Sequence, residues 1–102
     1  MKTTFEWDEN KNQINIKKHG INFEDAVHVF SGPFLERVDE RFDYGETRYI
    51  LLGELRDNIV VVVYTKRNDK IRLISIRQAN KYESKTYQIY IQDRLGTFGS
   101  DG

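Results

Sequence analysis

The chain contains no cysteine. That excludes disulfides, thiolate catalysis and cysteine metal sites, and it fits a cytoplasmic setting. No apolar run approaches membrane-spanning length; the longest, Ile59-Val-Val-Val-Val-Tyr64, has the length of a strand. Met1-Lys-Thr-Thr-Phe-Glu-Trp7 lacks the apolar centre of a signal peptide. Two separated histidines without cysteines do not make a metal-ligand set, although the carboxylates leave a Mg²⁺ site formally open. There is no phosphate-cradling glycine-rich loop and no nucleophilic-serine motif. No metal and no cofactor is therefore expected. Net charge is lacking too: the formal charge of zero argues against indiscriminate nucleic-acid binding.

What is present is a compact set of elements with unevenly placed charge. The 102 residues make one domain with one hydrophobic core, and the 38% hydrophobic and 31% charged fractions fit a soluble globular protein. From Glu36 to Asp57 seven acids face four arginines, whereas from Tyr64 to Gln88 seven Lys/Arg stand against two acids. A locally basic face can hold phosphate on a neutral protein; solvated surface charge is the plainer reading of most single positions.

Phe5-Glu-Trp-Asp8 alternates as a short first strand. Asp8 is placed to cap a helix over Glu9 to His19, with Lys17, Lys18 and His19 in its last turn and Gly20 as its stop. Asn22 opens a second short helix with Phe23, Ala26, Val27 and Phe30 on one face, ended by Ser31-Gly-Pro33. Strands are predicted over Phe34 to Val38, Thr47 to Leu55, Ile59 to Lys66 and Lys70 to Arg77. A final helix follows from Gln78 to about Leu95, with Ala79, Tyr82, Thr86, Tyr90 and Ile89 as its buried stripe. The expectation is one domain over residues 1–95 with a frayed tail at 96–102. Its class is α+β, with the helices on one face of an antiparallel sheet and the other face partly open.

The arginines carry the functional argument. A two-residue loop at Asp57-Asn58 places Arg48 directly opposite Arg67, and two facing guanidiniums are destabilising unless an anion lies between them. The alternative is that both splay into solvent, or that Glu46, Asp43 or Glu83 holds them in ion pairs. Arg72 and Arg77 are an odd number of residues apart, so a regular strand puts them on opposite faces. Arg77 is preferred for the site and Arg72 for solvent or a partner surface.

Six fragments in order carry a family resemblance. They are Phe5-Glu-Trp-Asp8, Asn15-x-x-Lys18-His19-Gly20-Ile-x-Phe23, Tyr44-Gly-Glu-x-Arg48-Tyr, Tyr64-Thr-x-Arg67, Ile71-Arg-x-Ile74-Ser-x-Arg77-x-Ala79 and Glu83-x-x-x-Tyr87. Together they resemble the BrnT toxins over roughly Phe5 to Tyr90. The resemblance implies a RelE-like fold, two N-terminal helices and one C-terminal helix on an antiparallel sheet. It implies a type II toxin that cleaves RNA without a metal and halts translation. It also implies neutralisation by a BrnA-like ribbon-helix-helix antitoxin, with DNA met only through that antitoxin and no membrane involved. Two departures stand out: the turn Arg67-Asn-Asp-Lys70 lacks the glycine common in relatives, and the last helix is longer.

Cleavage of that kind needs a base for the ribose 2′-OH, an acid for the leaving oxygen and cations for the phosphorane. Arg48, Arg67 and Arg77 are the candidate cations, since the guanidinium fork matches phosphate oxygens. His19 is either a proton carrier or a helix-terminal cation. Glu46 is either a general base beside Arg48 or a structural counter-ion. Lys18 and Arg72 are candidate RNA contacts, and Tyr49 and Tyr64 either stack on bases or pack in the sheet. Glu83 and Tyr87 share a helix face and are expected to brace the sheet or Arg77. A non-catalytic RNA-binding or partner-binding module is the alternative function.

Overall fold

The computed structural model describes residues 3–41 and 43–100, with the backbone alone for 95–100. The elements are β1 (Thr4–Glu6), α1 (Glu9–His19), α2 (Phe23–Val29), β2 (Phe34–Asp39), β3 (Arg48–Leu55), β4 (Asn58–Arg67), β5 (Lys70–Gln78) and α3 (Lys81–Ser100). The five strands form one sheet in the order β1-β5-β4-β3-β2. Strands β2 to β5 are antiparallel neighbours, while β1 runs parallel to β5. The α+β class stands; the sheet is mixed rather than antiparallel. The parallel pairing follows from α1 and α2 and three further strands intervening before β5 returns beside β1.

Local chemistry sets the helix ends. The Asp8 carboxylate accepts from the amides of Asn10 and Lys11, and Gly20 closes α1 at φ 74°, where glycine meets no Cβ penalty. Helix α1 buries two asparagines, Asn12 and Asn15. The Asn15 amide donates to the carbonyls of Ile21 and Ile76 at 2.9 Å, and its oxygen accepts from the Ile76 N–H at 3.1 Å. It does for Ile76 what a neighbouring strand would, beyond the point where β1 ends at its pairing with Arg72. Asn12 ties α1 to α2 by accepting from the Phe23 N–H at 2.9 Å.

The core is split by the sheet. On one side Phe23, Ala26 and Val29 of α2 pack on Leu51, Val60, Val62, Tyr64, Leu73 and Ile76. On the other, Tyr87 of α3 packs on Leu52 and Val61, with Leu35, Ile50, Ile59, Ala79 and Ile91 around it. The helices therefore do not share one face, which corrects the expectation. Helix α3 also differs in phase. It starts at Lys81, not Gln78, because Asn80 and Glu83 form a reciprocal capping box: the Glu83 N–H donates to Asn80 Oδ1 at 2.8 Å and the Asn80 N–H to Glu83 Oε1 at 2.9 Å. Tyr87 and Ile91 then turn inward, while Tyr82 is 80% and Ile89 51% exposed, so the expected stripe holds at Ala79 but not at Tyr82 and Ile89. The helix reaches Ser100, past the expected end near Leu95. Of the tail expected at 96–102, residues 101–102 lie outside the described residues.

Two details of the strands move the arginines. The tight loop between β3 and β4 is Arg56-Asp57, with Arg56 at φ 56°, and Leu55 pairs with Asn58. The register is thus two residues from the expected one. Faces are preserved but partners change: Arg48 faces Thr65, not Arg67. Between β4 and β5, Val63 pairs with Ser75 but Tyr64 with Leu73. Ile74 is the extra residue of a bulge, which reverses the alternation beyond it. Arg72 and Arg77, opposite Thr65 and Val61, consequently lie on the same face.

Candidate active site

The registers bring one row of side chains across all five strands. Glu6 pairs with Arg72, Arg72 with Thr65, Thr65 with Arg48 and Arg48 with Asp39. Directly opposed residues share a face, so Arg48 and Arg72 flank Thr65, roughly 10 Å apart at the backbone. Arg67 and Lys70 lie one pair further toward the β4–β5 turn, and Arg37, Ile50, Val63 and Ser75 form the next row toward α3. Arg77 ends the array where α3 begins. The face is open beyond α3: a cleft of about 310 Å³ runs between β2, β3 and α3, lined by Leu35, Arg37, Ile50, Leu52, Tyr82, Glu83 and Thr86.

Most of these cations meet a carboxylate. Arg67 donates to Glu46 from Nε at 3.3 Å and Nη2 at 3.1 Å. Arg72 lies 3.3 Å from Glu6, which Lys70 also approaches at 3.9 Å. Arg77 grips Glu83 in a fork, Nη1 to Oε1 at 2.9 Å and Nη2 to Oε2 at 2.8 Å. The fork raises the Arg77 pKa above its usual value and, with the Asn80 amide, lowers that of Glu83. Arg48 differs. Its guanidinium lies 4.0 Å from the centroid of the Tyr44 ring, and its Nε is buried without a hydrogen-bond partner among the described residues.

The cross-strand acid of Arg48 is occupied elsewhere. Asp39, whose side chain is 1% exposed, accepts from Arg41 Nε and Nη2 at 2.8 Å, from the Arg41 N–H at 3.1 Å and from the Tyr44 hydroxyl at 2.9 Å. The hydrogen bonds of Arg41 hold its carboxyl well below the usual range, against the opposing effect of burial.

Residues singled out in the sequence fall into two groups. Arg48, Arg67, Arg72 and Arg77 share the face, and Glu46 joins them as the partner of Arg67 rather than of Arg48. Tyr49 and Tyr64 are on the opposite face, stacked with centroids 5.5 Å apart and an interplanar angle of 19°. Tyr64 is fully buried, so its ring packs in the core and is closed to a base; Tyr49 carries Lys66 over its ring at 4.3 Å. Lys18 and His19 are exposed in the last turn of α1, beside β5, and neither forms a hydrogen bond or ion pair with the arginines among the described residues. Sequence reading missed Asp39, Arg37 and Arg41. The alternation Leu35, Arg37, Asp39 was visible in β2, but only the register shows that it meets Arg48.

A family model described as the ribonuclease toxin BrnT of type II toxin–antitoxin systems matches residues 7–83. The chain belongs to the BrnT family. It is similar to the crystal structure of the Brucella abortus ribonuclease toxin BrnT, with 28% sequence identity, a TM-score of 0.61, and coverage of 78% of this chain and all of that one. No curated relative matches the chain. The family match spans Tyr44, Arg48, Arg67, Arg72 and Arg77, and ends at Glu83, so the whole arginine face lies within the BrnT region. As a BrnT-type ribonuclease toxin of a type II system, the chain has RNA as its target and an antitoxin as its partner. The arrangement suits an anion: several planar cations project from one sheet, and the guanidinium fork matches phosphate oxygens.

Proposed function

We propose that this BrnT chain cleaves RNA without a metal and thereby arrests translation in the cytoplasm, and that a BrnA-like ribbon-helix-helix antitoxin neutralises it. The observation that carries the reading is the row Arg72–Thr65–Arg48, with Arg67 and Arg77 on the same face. Attack of the ribose 2′-oxygen on the adjacent phosphorus builds charge on a phosphorane, and guanidiniums fixed to a sheet stabilise it without reorganising. Arg48 is the primary phosphate ligand, because no carboxylate among the described residues competes for it. Arg67 and Arg77 join once their glutamates yield, and Glu46, released from Arg67, is then a free base beside the site. A non-catalytic RNA-binding module is the second reading. What favours it is that most of the arginines of the face already hold a carboxylate, as a binding surface at rest would.

Incubation of the purified chain with RNA in EDTA tests the proposal. Expected are fragments ending in 2′,3′-cyclic phosphate, about 100-fold slower formation in Arg48→Ala, and suppression by a purified ribbon-helix-helix partner. Intact RNA with retained binding would replace the nuclease by the binding module. Cleavage that stops in EDTA and returns with Mg²⁺ would overturn metal independence.

A further inference from the structure

Asp39 stands directly opposite Arg48 in the β2–β3 ladder, where an acid is the natural partner of a cross-strand arginine. Both of its oxygens are nevertheless taken, by the Arg41 fork and by the Tyr44 hydroxyl. Arg48 receives a ring where it would have received a carboxylate. The difference matters chemically. A carboxylate occupies guanidinium N–H groups, whereas a ring face attracts the charge and occupies none of them. A buried charged donor without a partner is costly, and among the described residues the Nε of Arg48 has none. At Arg48 an incoming anionic oxygen can take guanidinium N–H groups without displacing a carboxylate of the described residues, while at Arg67, Arg72 and Arg77 it must first displace an acid.

We propose that Tyr44, anchored by Asp39, is a positioning residue for Arg48, its ring being the platform that holds this guanidinium ready for an RNA phosphate. The inference rests on the reading of the arginine face as the RNA phosphate site. Asp39 performs two tasks in it. It withholds its own charge from Arg48, and it fixes the Tyr44 ring through the hydroxyl at 2.9 Å. Arg41 is what keeps Asp39 turned away, since it takes both carboxylate oxygens.

The test is a double-mutant cycle read by binding of a fluorescent 2′-O-methyl RNA oligonucleotide, which lacks the attacking hydroxyl. Wild type, Tyr44→Leu, Arg48→Ala and the double variant are compared, with thermal midpoints recorded. Tyr44→Leu should weaken binding about tenfold, Arg48→Ala more, and the double variant no more than Arg48→Ala alone. Tyr44→Phe, which keeps the ring but loses its hydroxyl anchor to Asp39, should fall between wild type and Tyr44→Leu. A Tyr44→Leu protein that binds as wild type while Arg48→Ala fails overturns the positioning role, as does a Tyr44→Leu loss that persists undiminished beside Arg48→Ala. If Arg48→Ala itself binds as wild type, the phosphate reading of the face falls and the platform with it. Should Tyr44→Leu fail to fold, the wild-type Arg48 Nε–H NMR signal decides: it should sit upfield under the ring and move on addition of the oligonucleotide, and a signal that stays in place overturns the proposal.

Discussion

Glu83 accepts from both terminal nitrogens of Arg77 and from the Asn80 amide, so one carboxylate caps α3 and restrains a cation of the site. Glu83→Gln keeps the shape but removes the charge, and is expected to cost about 1–3 kcal/mol at neutral pH. The pH dependence has a definite sign. The folded-state pKa of Glu83 is depressed below 4.5 by the Arg77 fork, so its contribution is complete above that value and lost as pH falls through the lower one. Urea midpoints of wild type and Glu83→Gln should therefore differ at pH 7 and converge as the pH is taken well below 4.5; a constant gap would refute the coupling. At this scale the sequence was partly legible. Glu83 was readable as a brace for Arg77 because both flank a strand-to-helix junction. Asp39 was not, since its importance depends on which strand position it opposes, and nothing local announces that.

Elements whose ends are set by side-chain caps were the most legible. Asp8 and Gly20 bound α1, and Asn22 opens α2, as their chemistry predicts. The Asn80-Lys-Tyr-Glu83 box was equally local, and overlooking it put Tyr82 and Ile89 in the predicted buried stripe of α3, although Tyr87 was expected against the sheet. The Arg56-Asp57 turn and the Ile74 bulge are different. A positive φ at an arginine and an extra residue in β5 run against local propensity, and turn propensity favoured the neighbouring Asp57-Asn58. One element contact can be tested directly. At Gly53 in β3 a Cβ would lie 2.5 Å from Val29 Cγ1, where α2 crosses the sheet. Gly53→Ala is expected to destabilise by about 1–3 kcal/mol through overpacking. Restoration by Gly53→Ala with Val29→Ala, measured in urea, would locate the cost in that contact, whereas an unchanged midpoint in Gly53→Ala would show that α2 yields freely.

Across the whole molecule, zero net charge coexists with a face bearing Arg37, Arg48, Arg67, Arg72 and Arg77. The sheet makes this possible. It sends the apolar alternates into the core under α2 and turns the charged alternates outward, while α3 covers only the apolar end of that face. The acids that neutralise the face lie within it, as partners of individual arginines. Long-range attraction for RNA is therefore weak, and affinity must come from local exchange of carboxylate for phosphate. That makes a quantitative expectation for salt. If Arg48, Arg67, Arg72 and Arg77 each meet a phosphate, the logarithm of the RNA binding constant should fall with the logarithm of salt with a slope of about −2.8 for a single strand. Removing Arg48 should lower the steepness by about 0.7, and so should removing Arg67. The two losses should differ in affinity. Arg67→Ala frees Glu46 as an unpaired anion beside the bound phosphate, whereas Arg48→Ala frees no acid, because Asp39 remains held by Arg41. Adding Glu46→Gln to Arg67→Ala should thus recover part of the affinity without recovering the slope. Salt titrations of the single and double variants measure both quantities, and equal slopes in wild type and Arg48→Ala would remove Arg48 from the phosphate contacts.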